Sequence, residues 1–334
     1  MNFGVIGLGS MGKRRIRLIK DNFPEINVVG IDNSAERCEE VKSLFDINVY
    51  NDSNDFFDEN NFDGVFISTP PLTHSKIINQ ALNSNLNVFT EINLVDDGYD
   101  ENIELSNKKG LVLFLSSTQL YRKEINFIGS KVDKSDKLTN YIYHIGNYLP
   151  DWHPWESYKN FFVGDKRTNG CREILAIELP WIVNVFGGIK QIHVSKNKIT
   201  GLDIDYPDSF FVTINHNDGS KGVLIVDLAS RNAVRNLEVI NECFHIIWDG
   251  TPQGLKCFDI ESKELKNINL YDEISTEEDY NQTIIENAYL EEIKDFFDVI
   301  NSDKKGLHSF EKDKYILDII DIIENISDNE VHEF

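Results

Sequence analysis

Gly7-Leu8-Gly9-Ser10-Met11-Gly12 decides the fold. The stretch follows a short apolar strand, Asn2 to Gly7, and opens a helix, Met11 to Lys20. Each glycine answers a steric demand: a tight turn, a backbone able to touch a pyrophosphate, and close packing of helix on strand. The helix start also points unpaired N–H groups and the positive end of its dipole at an anion. Asp32 ends the next strand, Ile26 to Asp32, where a carboxylate accepts hydrogen bonds from both hydroxyls of an adenosine ribose. The candidate cofactor residues here are Gly7, Gly9, Ser10, Met11, Gly12, Asp32 and Asn33. A carboxylate at 32 repels a 2′-phosphate, and Asn33 and Ser34 supply no cation against it, so NAD is preferred. Lys13, Arg14, Arg15 and Arg17 crowd the first helix, mostly as a solvated face, and leave NADP open.

Working outward, strand-like and helix-like pieces alternate: a helix from Ser34 to Leu44, a strand from Asp63 to Ser68, a helix from Thr73 to Asn83, then strands at Asn87 to Thr90 and Leu111 to Ser116. Short, almost continuous apolar runs between helical periods are what a parallel sheet covered on both faces requires, so this is a doubly wound α/β domain. Ser68-Thr69-Pro70-Pro71, with His74 beyond it, ends the fourth strand, and Glu91 ends the fifth. Carboxyl ends of parallel strands are where such sheets bind ligands, so Ser68, Thr69, Pro70, His74 and Glu91 join the cofactor candidates, Glu91 at the nicotinamide ribose.

The pattern changes after Lys123. A strand from Leu138 to Ile145 leads to a Trp- and Pro-rich loop and an apolar helix from Arg172 to Phe186. Strands with alternation follow at hairpin spacing, Phe210 to Asn215 and Lys221 to Leu228 around the Asp-Gly turn at Asn217 to Ser220, then Leu237 to Asn241 and Phe244 to Trp248. Helices from Thr283 to Ile300 and Phe310 to Ile326 close the chain. The expected organisation is a Rossmann domain over 1–123 and an α+β domain with a large, mostly antiparallel sheet over 124–334, its last helices packing back on the first domain.

Composition bounds the function. With 334 residues the chain is long enough for two domains, and 33 Lys+Arg against 56 Asp+Glu give a formal net charge of −23. That charge repels phosphate backbones and anionic lipid, so nucleic acid and membrane drop out as partners. No apolar run approaches the roughly 20 residues of a membrane span, and Met1 leads straight into a strand, so a cytoplasmic protein is expected. Cys38, Cys171, Cys243 and Cys257 stand apart with no Cys-x-x-Cys pair, and no metal motif or Gly-x-Ser-x-Gly elbow is present.

Gly7 to Gly12, Asp32, Ser68 to Pro71 with His74, and Glu91 resemble, in order and spacing, the Gfo/Idh/MocA oxidoreductases, the family of glucose-fructose oxidoreductase and inositol dehydrogenase. The segments Asn147 to Glu156, Glu178 to Gly187, Arg231 to Trp248 and Glu286 to Glu291 look like a branch acting on sugars or nucleotide-sugars, often in surface-glycan pathways. The resemblance implies a substrate pocket between the domains and a dimer or tetramer formed through the second sheet. It also implies catalytic residues that this chain lacks. Where the family has Glu-Lys-Pro the sequence reads Glu91-Ile92-Asn93, and Ile177 and Pro180 stand where the branch has a histidine and an aspartate. An isoleucine moves no proton, so the acid and base must come from elsewhere. Glu173, one helical turn before Ile177, projects from the same face. Beside it Arg172 would bind a carboxylate or phosphate, and His153 in the Trp-rich loop has a suitable intrinsic pKa. Gln119, Tyr121, Tyr148 and Trp152 come from segments that usually line the pocket, with Trp155 and Trp181 as further rings for a sugar. Three readings follow: a dehydrogenase with relocated acid/base groups, a non-catalytic paralogue that binds NAD and a sugar, and an enzyme of NAD-assisted elimination, hydrolysis or epimerisation.

Overall fold

The computed structural model describes residues 1–51, 56–57, 61–152, 157–277 and 283–334. The chain divides into two compact units, Met1–Ser117 with Leu290–Lys314, and Thr118–Tyr289 with Tyr315–Phe334. The first boundary falls before Lys123 because the 3-10 turn Thr118–Tyr121 packs on the helices that follow it.

In the first unit β1 (Asn2–Ile6), α1 (Ser10–Asn22), β2 (Asn27–Ile31), α2 (Ala35–Phe45), β3 (Asn48–Tyr50), β4 (Gly64–Ile67), α3 (His74–Asn83), β5 (Asn87–Thr90), α4 (Tyr99–Lys109) and β6 (Leu113–Leu115) follow one another. All six strands are parallel, in the order β3-β2-β1-β4-β5-β6, which is the doubly wound class read from the sequence. The direction of winding reverses between β1 and β4, and a crevice outside the carboxyl ends of two such strands is where an open sheet takes a dinucleotide. Val65, Phe66 and Ile67 are all fully buried, the continuous burial of a two-sided sheet.

The second unit continues with α5 (Lys123–Asp133), β7 (Asn140–Gly146), α6 (Gly170–Phe186), β8 (Ile189–Asn197), β9 (Ser209–His216), β10 (Lys221–Asp227), β11 (Val234–Asn241), β12 (Phe244–Trp248), β13 (Lys256–Asp259) and β14 (Glu264–Asn267). The chain ends with α7 (Glu286–Asn301), α8 (Phe310–Asn325) and β15 (Glu330–Glu333). Among the described residues nine strands form one sheet, β14-β13-β12-β11-β7-β10-β9-β8-β15, in which only the β7–β10 pair is parallel. The hairpin read at Asn217 to Ser220 joins β9 to β10, with Gly219 at φ +99°. Helix α5 and the edge strands β13 to β15 escape the sequence reading, since β14 and β15 are short and almost wholly exposed and carry no apolar alternation.

The two faces of this sheet differ. Tyr141, Tyr143, Leu224, Val226, Val212 and Val239 are buried on one, where Tyr141 stacks on Phe186 of α6 with ring centroids 4.2 Å apart. Glu178 of α6 is fully buried there and fully paired, accepting from Tyr143 Oη at 2.8 Å and Trp181 Nε1 at 2.7 Å and facing Arg235 at 2.7 Å. On the other face Ile142, Phe211 and Ile240 are exposed. Among the described residues no helix is long and apolar enough to cross a membrane.

Candidate functional site

The glycine turn has the geometry its spacing predicts. Gly7 follows β1 at φ +92°, and a Cβ there would lie 2.6 Å from the Ser68 carbonyl oxygen, so the loops after β1 and β4 touch through a glycine. A Cβ on Gly12 would overlap the Gly7 carbonyl, which fixes α1 against the turn. Gly9 differs: a Cβ there meets nothing within 4 Å, and this residue caps α1 without a side-chain hydrogen bond. Open space over uncapped helical N–H groups suits a pyrophosphate. Ser10 opens the helix, and Met11 behind it holds its sulfur 3.1 Å from Arg14 Nη1.

Asp32 is buried at the end of β2, its two oxygens accepting the backbone N–H groups of Leu8 at 2.8 Å and Ser34 at 2.9 Å. Its carboxylate is thereby tied to the glycine turn, while Asn33 beside it is exposed. Arg37 of α2 comes within 3.6 Å of Asp32, a cation that reading only Asn33 and Ser34 overlooks. Its side chain is 54% exposed, so solvent screens the pair. These residues fit NAD.

At the ends of β4 and β5 the structure corrects two expectations. His74 is buried with both ring nitrogens engaged by the protein, Nε2 at 2.7 Å from the Thr69 carbonyl and Nδ1 at 2.6 Å from the Asn93 amide. Burial holds its pKa below the usual value, so the ring is neutral and braces the loops after β4 and β5 in place of touching a ligand. Ser68 and Thr69 are half-buried, Thr69 accepting from the Thr73 hydroxyl at 2.8 Å, and Pro70 is exposed at the turn into α3. Glu91 is held by a bidentate pair with Arg15 at 2.7 and 2.9 Å. Arg15 is fully buried and Arg14 nearly so, and neither belongs to the solvated face that the basic run on α1 suggests.

In the second unit, Asn169 caps α6 by accepting the Arg172 N–H at 2.9 Å. The expected anion site at Arg172 is overturned: its guanidinium is buried against Asp321 at 2.7 Å and Glu324. Glu173 and Ile177 do share one half-buried line on a helix otherwise buried almost throughout. The Glu173 Oε2 atom is buried without a hydrogen-bond partner, and burial pushes its carboxyl up to about 8. Gln119, in the Thr118–Tyr121 turn that packs on α6, likewise has a buried amide oxygen without a partner. Among the described residues four other buried side-chain atoms lack a hydrogen bond: Glu178 faces Arg235, Asp295 faces Lys304, the Asn93 amide is satisfied when its oxygen and nitrogen are exchanged so that it donates to His74, and Arg14 Nη2 belongs to a guanidinium whose Nη1 lies 3.1 Å from the Met11 sulfur. Buried polar atoms are seldom left unpaired, and the acceptors of Glu173 and Gln119 are candidates for bonding to a ligand.

Tyr121 and Tyr148 are half-buried, and the Arg231 guanidinium lies 3.5 Å from the Tyr148 ring centroid. Trp152 is half-buried and spends its Nε1–H on the Asn147 carbonyl at 3.2 Å. Trp181 is fully buried against Glu178 and offers no ring to a sugar. His153 and Trp155 lie outside the described residues.

Residues 1–115 match the model of an oxidoreductase family with an NAD-binding Rossmann fold, Gfo/Idh/MocA. No curated protein matches the sequence. Among solved structures, an oxidoreductase from Agrobacterium radiobacter in complex with NAD+, L-tartaric acid and magnesium superposes with a TM-score of 0.82 at 12% identity, covering 100% of this chain and 98% of that one. Myo-inositol 2-dehydrogenase from Lactobacillus plantarum gives 0.80 at 17% identity over 100% and 99% of the two chains. UDP-N-acetylglucosamine 3-dehydrogenase from Acidithiobacillus ferrooxidans gives 0.72 at 16% over 97% and 95%. Such identities establish a shared fold, and the family model adds the cofactor class. Over residues 1–115 the chain therefore matches the NAD-binding Rossmann domain of the Gfo/Idh/MocA oxidoreductases.

Proposed function

We propose that the chain is an NAD-dependent dehydrogenase acting on a hydroxyl or keto group of a sugar, nucleotide-sugar or cyclitol, with Glu173 as its general acid/base. The observation that carries this reading is the Glu173 carboxyl, buried, unpartnered and raised to about 8, where a group can both take and return a proton near neutral pH. When bound, NAD supplies the hydride acceptor. The glycine turn and Asp32 hold and orient it. Glu173 takes the proton of the hydroxyl under oxidation, the task that Ile92 and Ile177 cannot perform. Gln119 orients a neighbouring hydroxyl, and Tyr121, Tyr148 and Trp152 offer the rings and polar edges that sugars pack on. The inositol and UDP-N-acetylglucosamine dehydrogenases that share the fold support this substrate class.

Incubating the protein with NAD and a panel of hexoses, cyclitols and nucleotide-sugars, and following NADH absorbance, tests the proposal. Turnover that is lost in Glu173→Gln and kept in His153→Ala singles out the helix carboxylate. The reverse result overturns its role. The apolar residues at 92, 177 and 180 favour a second reading, a paralogue that binds NAD and a sugar without turnover; binding with no turnover across the panel selects it. The exposed sheet face of the second unit is assigned to a second copy of the chain. Val223 pairs in register with Ile142 and Ile225 with Phe211, forming a continuous apolar strip across three strands.

A further inference from the structure

One arginine of the second unit has no counter-charge. Arg15 faces Glu91 and Glu292, and Arg37, Arg122, Arg172 and Arg235 each face a carboxylate. Among the described residues Arg231 makes no ion pair and no side-chain hydrogen bond, and its exposed guanidinium lies over the Tyr148 ring, 3.5 Å from the centroid. In a chain with 33 Lys+Arg against 56 Asp+Glu, an arginine left without a carboxylate is unexpected. The sequence around it keeps acids away, since neither 137–150 nor 228–237 contains Asp or Glu. The acids that border those runs do not reach it. Asp227 lies 2.7 Å from His144 Nε2 and accepts the N–H groups of Ala229 and Ser230 at 2.8 and 2.7 Å, and Asp151 makes no ion pair with Arg231.

Arg231 and Tyr148 stand beyond the carboxyl ends of the parallel pair β10 and β7. The ladder between these strands runs on into both loops, the Asn147, Tyr148 and Leu149 N–H groups donating to the Asp227, Ser230 and Leu228 carbonyls at 3.2, 2.8 and 3.2 Å. Helix α6 starts against the same loops: a Cβ on Gly170 would lie 3.1 Å from Leu228 and 3.2 Å from Leu149. Glu173 follows within one turn of Gly170. Stacking on a ring occupies the flat face of a guanidinium and leaves the N–H donors around its edge, the fork that pairs with a phosphate or carboxylate through two parallel hydrogen bonds. Resting on the reading of Glu173 as the acid/base of a sugar dehydrogenase, we propose that Arg231 receives an anionic group of the substrate, so that the sugar under oxidation carries a phosphate or a carboxylate. A nucleotide-sugar or sugar phosphate supplies the first and a uronic acid the second. The anion site expected on α6 at Arg172 is thereby replaced by one on the loop after β10.

Calorimetric titration of the full-length protein, saturated with NADH so that the glycine turn is occupied, tests this. UDP-N-acetylglucosamine is the phosphate-bearing probe, glucuronate the carboxylate-bearing one, and N-acetylglucosamine and myo-inositol are neutral. At least one anionic probe is expected to bind more tightly than both neutral sugars. Arg231→Ala is expected to weaken that probe about tenfold to a hundredfold, the loss of a charge-assisted pair, to leave the neutral sugars within about twofold, and to melt with wild type. The anion whose affinity falls identifies the group that Arg231 receives. Arg231→Lys, which keeps the charge without the fork, is expected to lie between the two proteins and reads the same loss should the alanine variant fail to fold. Anionic probes that bind no more tightly than neutral ones, or an Arg231→Ala protein in which all probes weaken alike or none does, overturn the inference while leaving the dehydrogenase reading intact. Turnover that survives in Glu173→Gln overturns the acid/base reading instead, and the loss of anion binding in Arg231→Ala then stands by itself.

Discussion

As the proposed general base, Glu173 gives two pH dependences of opposite sense. The base must be ionised to accept a proton, so the oxidation rate is expected to rise with pH through about 8 and level off above it. Glu173→Gln should lose that limb and about a hundredfold or more in kcat, which a pH–rate profile of both proteins measures. In folding the sign reverses. A carboxyl near 8 when native and 4.5 when unfolded holds its proton more tightly in the native state, so its contribution is complete below pH 4.5 and is lost as the pH rises through 8. The loss is a few kcal/mol in order of magnitude, and the roughly 0.3–1 kcal/mol by which a first-turn carboxylate gains from the helix dipole does not reverse it. The Gln variant is therefore expected to melt above wild type at pH 9 and alongside it at pH 4. Asp32→Ala is expected to cut the preference for NADH over NADPH by about tenfold or more, since it removes the ribose acceptor and frees Arg37 for a 2′-phosphate. Paired fluorescence titrations of the two nucleotides check it.

At the scale of elements, the glycine turn makes a prediction in which stability and binding separate. Gly12→Ala puts a methyl into the Gly7 carbonyl and is expected to destabilise the first unit by several kcal/mol. Gly9→Ala meets no protein atom and is expected to leave the melting temperature within a degree or two while weakening NADH binding. This strand–turn–helix was legible in the sequence because it is local, with the demands on Gly7, Gly9 and Gly12 set by a few neighbouring residues. Arg15 was not legible. Its partners lie 76 and 277 residues away, and nothing in the run Lys13 to Arg17 tells a buried cation from a solvated one. Arg172 failed for the same reason, since Asp321 and Glu324 come from the far end of the chain. Helical spacing put Glu173 on the line of Ile177, but only the structure shows that its Oε2 is buried without a hydrogen-bond partner.

Across the whole molecule, the exposed face of the nine-stranded sheet is the surface proposed above for a second copy. If a second copy covers Ile142, Phe211 and Val223, then Phe211→Lys places a charge in that contact, and light scattering is expected to report a monomer with an unchanged fold. An unaltered mass would remove that face from the assembly. The division of the chain also bears on how the protein is made. The first unit is not contiguous: Leu290–Lys314 completes it, and in that segment the Phe296 ring lies 5.3 Å from Phe66, 5.5 Å from both Phe89 and Phe114 and 6.0 Å from Phe3. During synthesis, Ser117 emerges from the ribosome about 170 residues ahead of Leu290, on the order of ten to thirty seconds. Throughout that interval the nascent nucleotide domain carries an unshielded aromatic face and an arginine still waiting for Glu292. The glycine turn is translated long before this segment, yet the domain around it closes only when Leu290–Lys314 has followed it out.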